Sequence, residues 1–133
     1  MAVIQMAHTV DPKKAIHDKL PKDFDKAKFM SNQILVATYI RPDTKTKSGL
    51  YIPDASRGED RFQGTVGLVL YKGVSAFEDD DTVKFNGQNV EIGDWVWFRV
   101  GDGMRGELST GLHVRLLEDV HIRAVFPHPD FAW

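Results

Sequence analysis

The chain contains no cysteine. That excludes disulfides, thiolate nucleophiles and thiolate zinc sites together, and leaves packing or oligomerisation to hold the fold. It has no apolar run approaching the ~18 to 20 residues that span a bilayer. Met1-Ala2-Val3-Ile4 lacks the basic flank and longer apolar stretch of a secretory signal. A cytoplasmic protein that does not enter membranes is expected. A surplus of either charge is also missing: 17 Lys and Arg against 19 Asp and Glu leave a net charge of −2. The lysines are interleaved with acids, as in Asp23-Phe24-Asp25-Lys26. This alternation reads as a solvated surface and gives no basic patch for nucleic acid.

What is present is one domain's worth of ordinary globular composition, 133 residues of which 42% are apolar. Residues 1–30 are rich in Lys and Asp and poor in β-branched side chains, so they read as an appended arm. Within it, Asp11-Pro12 is a helix-start signal, Ile16 and Leu20 share a face, and Pro21 ends the run. The expected helix, at about residues 12–20, has too narrow an apolar stripe to stand alone and must dock on its own barrel or on a neighbour. The arm is expected to serve assembly and to lie outside the barrel core.

From Gln33 onward short β-rich runs alternate with Gly, Asp and Pro, an all-β signature. Strands are predicted at Ile34–Ile40, Gln63–Tyr71, Thr82–Phe85, Asn89–Ile92, Trp95–Val100, Leu112–Leu117 and His121–Phe126. Asn86-Gly87 is the preferred two-residue turn of a β-hairpin, because both central positions need positive φ, so a projecting hairpin is predicted there. Trp95-Val96-Trp97-Phe98-Arg99-Val100 is apolar at almost every position, which predicts cover on both faces. Short strands without helical crossovers argue for a barrel or sandwich, and Gly64, Gly67, Gly73 and Gly93 fall where a small barrel bends.

The residue patterns carry no positive case for catalysis, metal or cofactor. His8, His17, His113, His121 and His128 show no ligand spacing; His113 and His121 read as surface or interface positions on two strands. Glu78-Asp79-Asp80-Asp81 lacks the spacing of a calcium loop and reads as solvated. Gly101-Asp102-Gly103 is followed by no phosphate-binding helix and reads as a tight turn. Ser48, Ser56, Ser75 and Ser109 lack a nucleophile elbow. The segment from Asp43 to Asp54 stands apart, placing Leu50, Tyr51 and Ile52 between a polar lead-in and Pro53. Such a triplet either packs down as an edge strand or stays exposed as a plug for a partner. On pattern alone the packed reading comes first, since isolated apolar triplets are common.

The order of motifs is more specific. Lys47-Ser48-Gly49-Leu50-Tyr51-Ile52-Pro53-Asp54 precedes Gln63-Gly64-Thr65-Val66-Gly67-Leu68-Val69-Leu70, then Val90-Glu91-Ile92-Gly93-Asp94-Trp95-Val96-Trp97-Phe98, then a closing stretch from Leu112 to Phe126. This series resembles the ten-kilodalton co-chaperonins, the GroES-like family, over about Met30 to Phe126. The resemblance implies a small, partly open β-barrel over residues 31–126, after the arm and before a tail at 127–133. It implies a non-enzymatic homo-oligomer, a seven-membered ring whose partner is a large chaperonin. Leu50, Tyr51 and Ile52 would be the docking triplet, and Gly73 to Gly87 the hairpin that roofs the ring. The arm and the tail Pro127-His128-Pro129-Asp130-Phe131-Ala132-Trp133 have no counterpart in ordinary co-chaperonins. They raise a viral variant, either a phage-encoded co-chaperonin or, as a second reading, a phage virion protein such as a capsid decoration subunit, with capsid proteins as partners.

Overall fold

The computed structural model describes residues 11–40 and 64–129. Among these residues one α-helix, α1 (Pro12–Asp18), precedes six strands: β1 (Gln33–Thr38), β2 (Val66–Lys72), β3 (Trp95–Trp97), β4 (Met104–Glu107), β5 (His113–Glu118) and β6 (Ala124–Phe126). They form one antiparallel sheet in the order β4-β5-β1-β2-β3-β6. Among the described residues the sheet is not closed, and β4 and β6 are its edges. The all-β architecture predicted from the residues is thus observed, as a single sheet consistent with the small β-fold that the resemblance implies.

Both faces of the central strands are buried, which is why β1 and β2 read as continuous apolar runs. Leu35, Ala37, Tyr39, Val66, Leu68, Leu70, Trp95 and Val114 pack on one face. Ile34, Val36, Val69, Val96, Phe98 and Leu117 pack on the other. The period-2 alternation survives inside each run, with every side chain finding a core. A bulge shifts the β1–β2 register, Leu35 opposing Tyr71 and Val36 opposing Val69. The extra residue lets both Leu70 and Tyr71 face the first core. Gly67 is required where these strands meet, because a Cβ there would lie 2.9 Å from Val36 Cγ2.

The arm corrects the expectation that it stands outside the core. Asp11 caps α1 through a 3.2 Å bond from Lys13 N–H to its Oδ1, and Pro12 occupies the first turn, as the residues predict. Ile16 is 8% exposed and belongs to the first core, with Leu20, Phe24 and Phe29 packed beside it. An aromatic relay ties the arm to β2: Phe24 to Phe29 at 6.3 Å and Phe29 to Tyr71 at 4.8 Å between ring centroids. The Thr110 hydroxyl donates to the Lys19 carbonyl, a second tether. Of the two docking options, the helix takes its own sheet.

Two strand predictions fail together. The Asn86-Gly87 turn forms, with φ of 55° and 79° and a 2.9 Å bond from Gln88 N–H to the Phe85 carbonyl. The flanking residues build no ladder, however, and 73–92 is an irregular loop. Side chains have captured the amides a ladder needs. Asp79 Oδ1 accepts from Phe85 N–H at 2.7 Å, and Asp80 Oδ1 accepts from Thr82 N–H and Val83 N–H, both at 2.7 Å. Local bonding of this kind competes directly with strand pairing. The acidic run is therefore loop scaffold as well as solvated surface. The segment from Trp95 is shorter than predicted and its cover is incomplete: Trp95 packs in the first core and Val96 and Phe98 in the second, whereas Trp97 is 41% exposed. His113 lies on a strand as expected, but His121 lies in a 3₁₀ turn, Asp119–His121.

Candidate functional site

The triplet Leu50, Tyr51 and Ile52 lies outside the described residues. What the structure does define is the platform from which the segment 41–63 departs and to which it returns. At this end of the sheet Thr38 opposes Gly67, and Tyr39 N–H donates to the Val66 carbonyl at 2.8 Å. The two stems are therefore hydrogen-bonded neighbours. Tyr39 is 5% exposed and meets Trp95 edge-on at 5.6 Å, which locks the outgoing stem. Thr65 fixes the returning stem: its carbonyl accepts from Phe98 N–H at 2.9 Å and its hydroxyl from Trp97 Nε1–H at 3.2 Å. Trp97 in turn rests against Phe126 at 5.6 Å. Rings from β3 and β6 thus brace both stems, and a site carried on this segment would start from a rigid base.

A second organised region sits over the other core. Asp119, 4% exposed, accepts from Asn32 Nδ2–H at 3.0 Å and from Phe77 N–H at 2.9 Å. Gly73 N–H donates to the Gln33 carbonyl and Ser75 N–H to the Ser31 carbonyl. The approach is so close that a Cβ on Gly73 would lie 2.3 Å from the Ser31 oxygen. Lys72 holds the far end of the loop, its amine donating to Asn89 Oδ1 at 3.1 Å and to the Val90 carbonyl at 2.9 Å. Val90 is thereby seated in the core, 2% exposed, and Phe77 meets Phe85 edge-on at 5.4 Å.

Arg115 is the one fully buried cation among the described residues. Its Nη1 donates to the carbonyls of Arg99, Val100 and Asp102, and its guanidinium lies 5.1 Å from the Phe98 ring centroid. Burial, with the neighbouring Arg105 charge, lowers its pKa, while Asp102 opposes the shift. A guanidinium nevertheless stays protonated in proteins. Its work is structural: it closes the Gly101–Gly103 turn between β3 and β4, the tight turn the residues predict. His121 is likewise structural, its Nδ1 accepting from Glu118 N–H at 3.0 Å. No sequence rule singled out Arg115, Asp119 or Thr65, because their roles depend on carbonyls and amides far away in the chain.

The geometry brings no described group into a catalytic arrangement and instead presents a braced platform for a segment between β1 and β2. Among curated proteins, no relative matches the chain. The family model of the chaperonin 10 Kd subunit does match, over residues 26–126, which takes in the end of the arm, all six strands and the segment 41–63. The chain belongs to the ten-kilodalton chaperonin family, the GroES-like co-chaperonins.

Proposed function

We propose that this chain is a non-enzymatic lid subunit that assembles into a ring and binds a large chaperonin through Leu50, Tyr51 and Ile52. The observation that carries the reading is the pairing of the two stems by Tyr39 and Val66, within the span that matches the family. Stems fixed side by side anchor the segment between them at one point of each subunit. Repeated around a ring, weak apolar contacts become strong attachment through effective concentration.

The test is a double truncation, Leu50→Ala with Ile52→Ala, followed by thermal melting and chaperonin pull-down. An unchanged melt with lost binding supports the lid. The opposite result, a subunit destabilised by roughly 2 to 5 kcal/mol for each buried large-to-small change and a parent that binds no chaperonin, means the triplet packs within the subunit and overturns the reading.

A further inference from the structure

The Asn86-Gly87 turn is left without the hairpin that would have held it, and this gives it a chemistry of its own. Both residues are exposed, and a Cβ on Gly87 would meet nothing within 4 Å. Among the described residues, neither the Gly87 N–H nor the Asn86 side-chain amide makes a hydrogen bond; the turn is closed by Gln88 N–H alone. The nucleophile and the carbonyl carbon of an intramolecular amide attack therefore sit on adjacent residues, with no side chain to hinder approach.

We infer that Asn86 is a site of spontaneous deamidation, selective within this chain. Base removes the Gly87 amide proton, the nitrogen attacks Asn86 Cγ, and the new N–Cγ bond closes a five-membered succinimide. The Cγ–Nδ2 bond breaks and ammonia leaves. Water then opens the ring at either carbonyl, giving aspartate or isoaspartate at position 86. No oxidant or reductant enters.

The other two asparagines are internal controls. Asn32 has its amide nitrogen held by Asp119 at 3.0 Å and is followed by Gln33, whose N–H is engaged with the Met30 carbonyl. Asn89 has its carbonyl oxygen held by Lys72 at 3.1 Å and by Val90 N–H at 2.8 Å, and is followed by the β-branched, buried Val90. Both are tied down where Asn86 is not. The product matters to the loop: one more carboxylate joins Asp79, Asp80 and Asp81, and isoaspartate lengthens the main chain beside the Gln88-to-Phe85 bond. Phe85, Gly87 and Val90 line an open groove with Val120 and Val125, so conversion reshapes one of its walls.

The experiment incubates the folded full-length chain, and in parallel a urea-unfolded sample, in mildly alkaline buffer at body temperature. Isoelectric focusing and peptide mapping with isoaspartate detection follow. The expected result is an acidic shift of one charge, from −2 to −3 at neutral pH. Isoaspartate should localise to the Asn86 peptide, the Asn32 and Asn89 peptides should keep their mass, and Asn86→Gln should show no shift. The inference is overturned if Asn86 survives in the folded chain while the unfolded chain converts, if Asn32 or Asn89 converts as fast, or if the shift persists in Asn86→Gln.

Discussion

Ile16→Ala tests whether the arm is part of the core. α1 has seven residues, far too few to be helical alone in water, so its structure exists only because it docks. Ile16 is the helix's buried residue, 8% exposed, among Leu35, Tyr39, Leu112 and Val114. Large-to-small changes in a core cost about 2 to 5 kcal/mol. The position lies at the rim of the core on a short element that can shift, so the low end, about 2 kcal/mol, is expected. At a few degrees per kcal/mol for a domain of this size, the melting midpoint should fall by roughly 6 to 10 °C. Removing residues 1–28 should do more, uncovering the first core and taking Leu20 and Phe24 with it. Urea and thermal melts of the full chain, the Ile16→Ala variant and the truncation measure this. A midpoint unchanged within the ~0.5 kcal/mol typical of surface substitutions would mean that the arm rests on the sheet without completing it, and the assembly role would be restored.

Three further outcomes are expected. Arg115→Met should lower stability by about 3 kcal/mol in urea unfolding, because three carbonyls lose a charged donor. Arg115→Lys should recover only part of this: all three carbonyls are met by the one Nη1, which an ammonium with three donors can imitate, but the shorter lysine loses the planar guanidinium beside the Phe98 ring. Hydrogen bonds from Val83 and Thr82 lower the Asp80 pKa. A depressed folded-state pKa stabilises above the unfolded value, ~3.9, and that contribution fades as pH falls through the folded one. Amide protection at Thr82 and Val83 should therefore drop below that range, and Asp80→Ala should abolish the acid dependence. Gly73→Ala should be strongly destabilising in a thermal melt, because the added Cβ meets backbone at the Ser31 carbonyl.

Much of the fold was legible wherever an element's cause is local. The β1 and β2 runs announce themselves because strands buried on both faces are largely apolar. Asp11-Pro12 announces α1 because a helix start needs only a cap and a fixed φ. Asn86-Gly87 announces its turn because only certain residues accept positive φ. The resemblance to co-chaperonins likewise came from ordered local motifs, and the family match spans the same stretch.

Tertiary structure decided the rest. β4, Met104–Glu107, is exposed at every position, so no apolar period marks it, and only its ladder to β5 makes it a strand. The segment 82–92 has strand-like residues, but Asp79 and Asp80 reach its amides first, and that competition is settled by where the carboxylates sit. Arg115 looks like a surface residue of a strand until the Arg99–Asp102 carbonyls converge on it. The arm's polar composition conceals that Ile16, Leu20, Phe24 and Phe29 line up on one face of the sheet. In each case the deciding interaction joins residues whose proximity is made by the fold, whereas propensity and periodicity report only on neighbours along the chain.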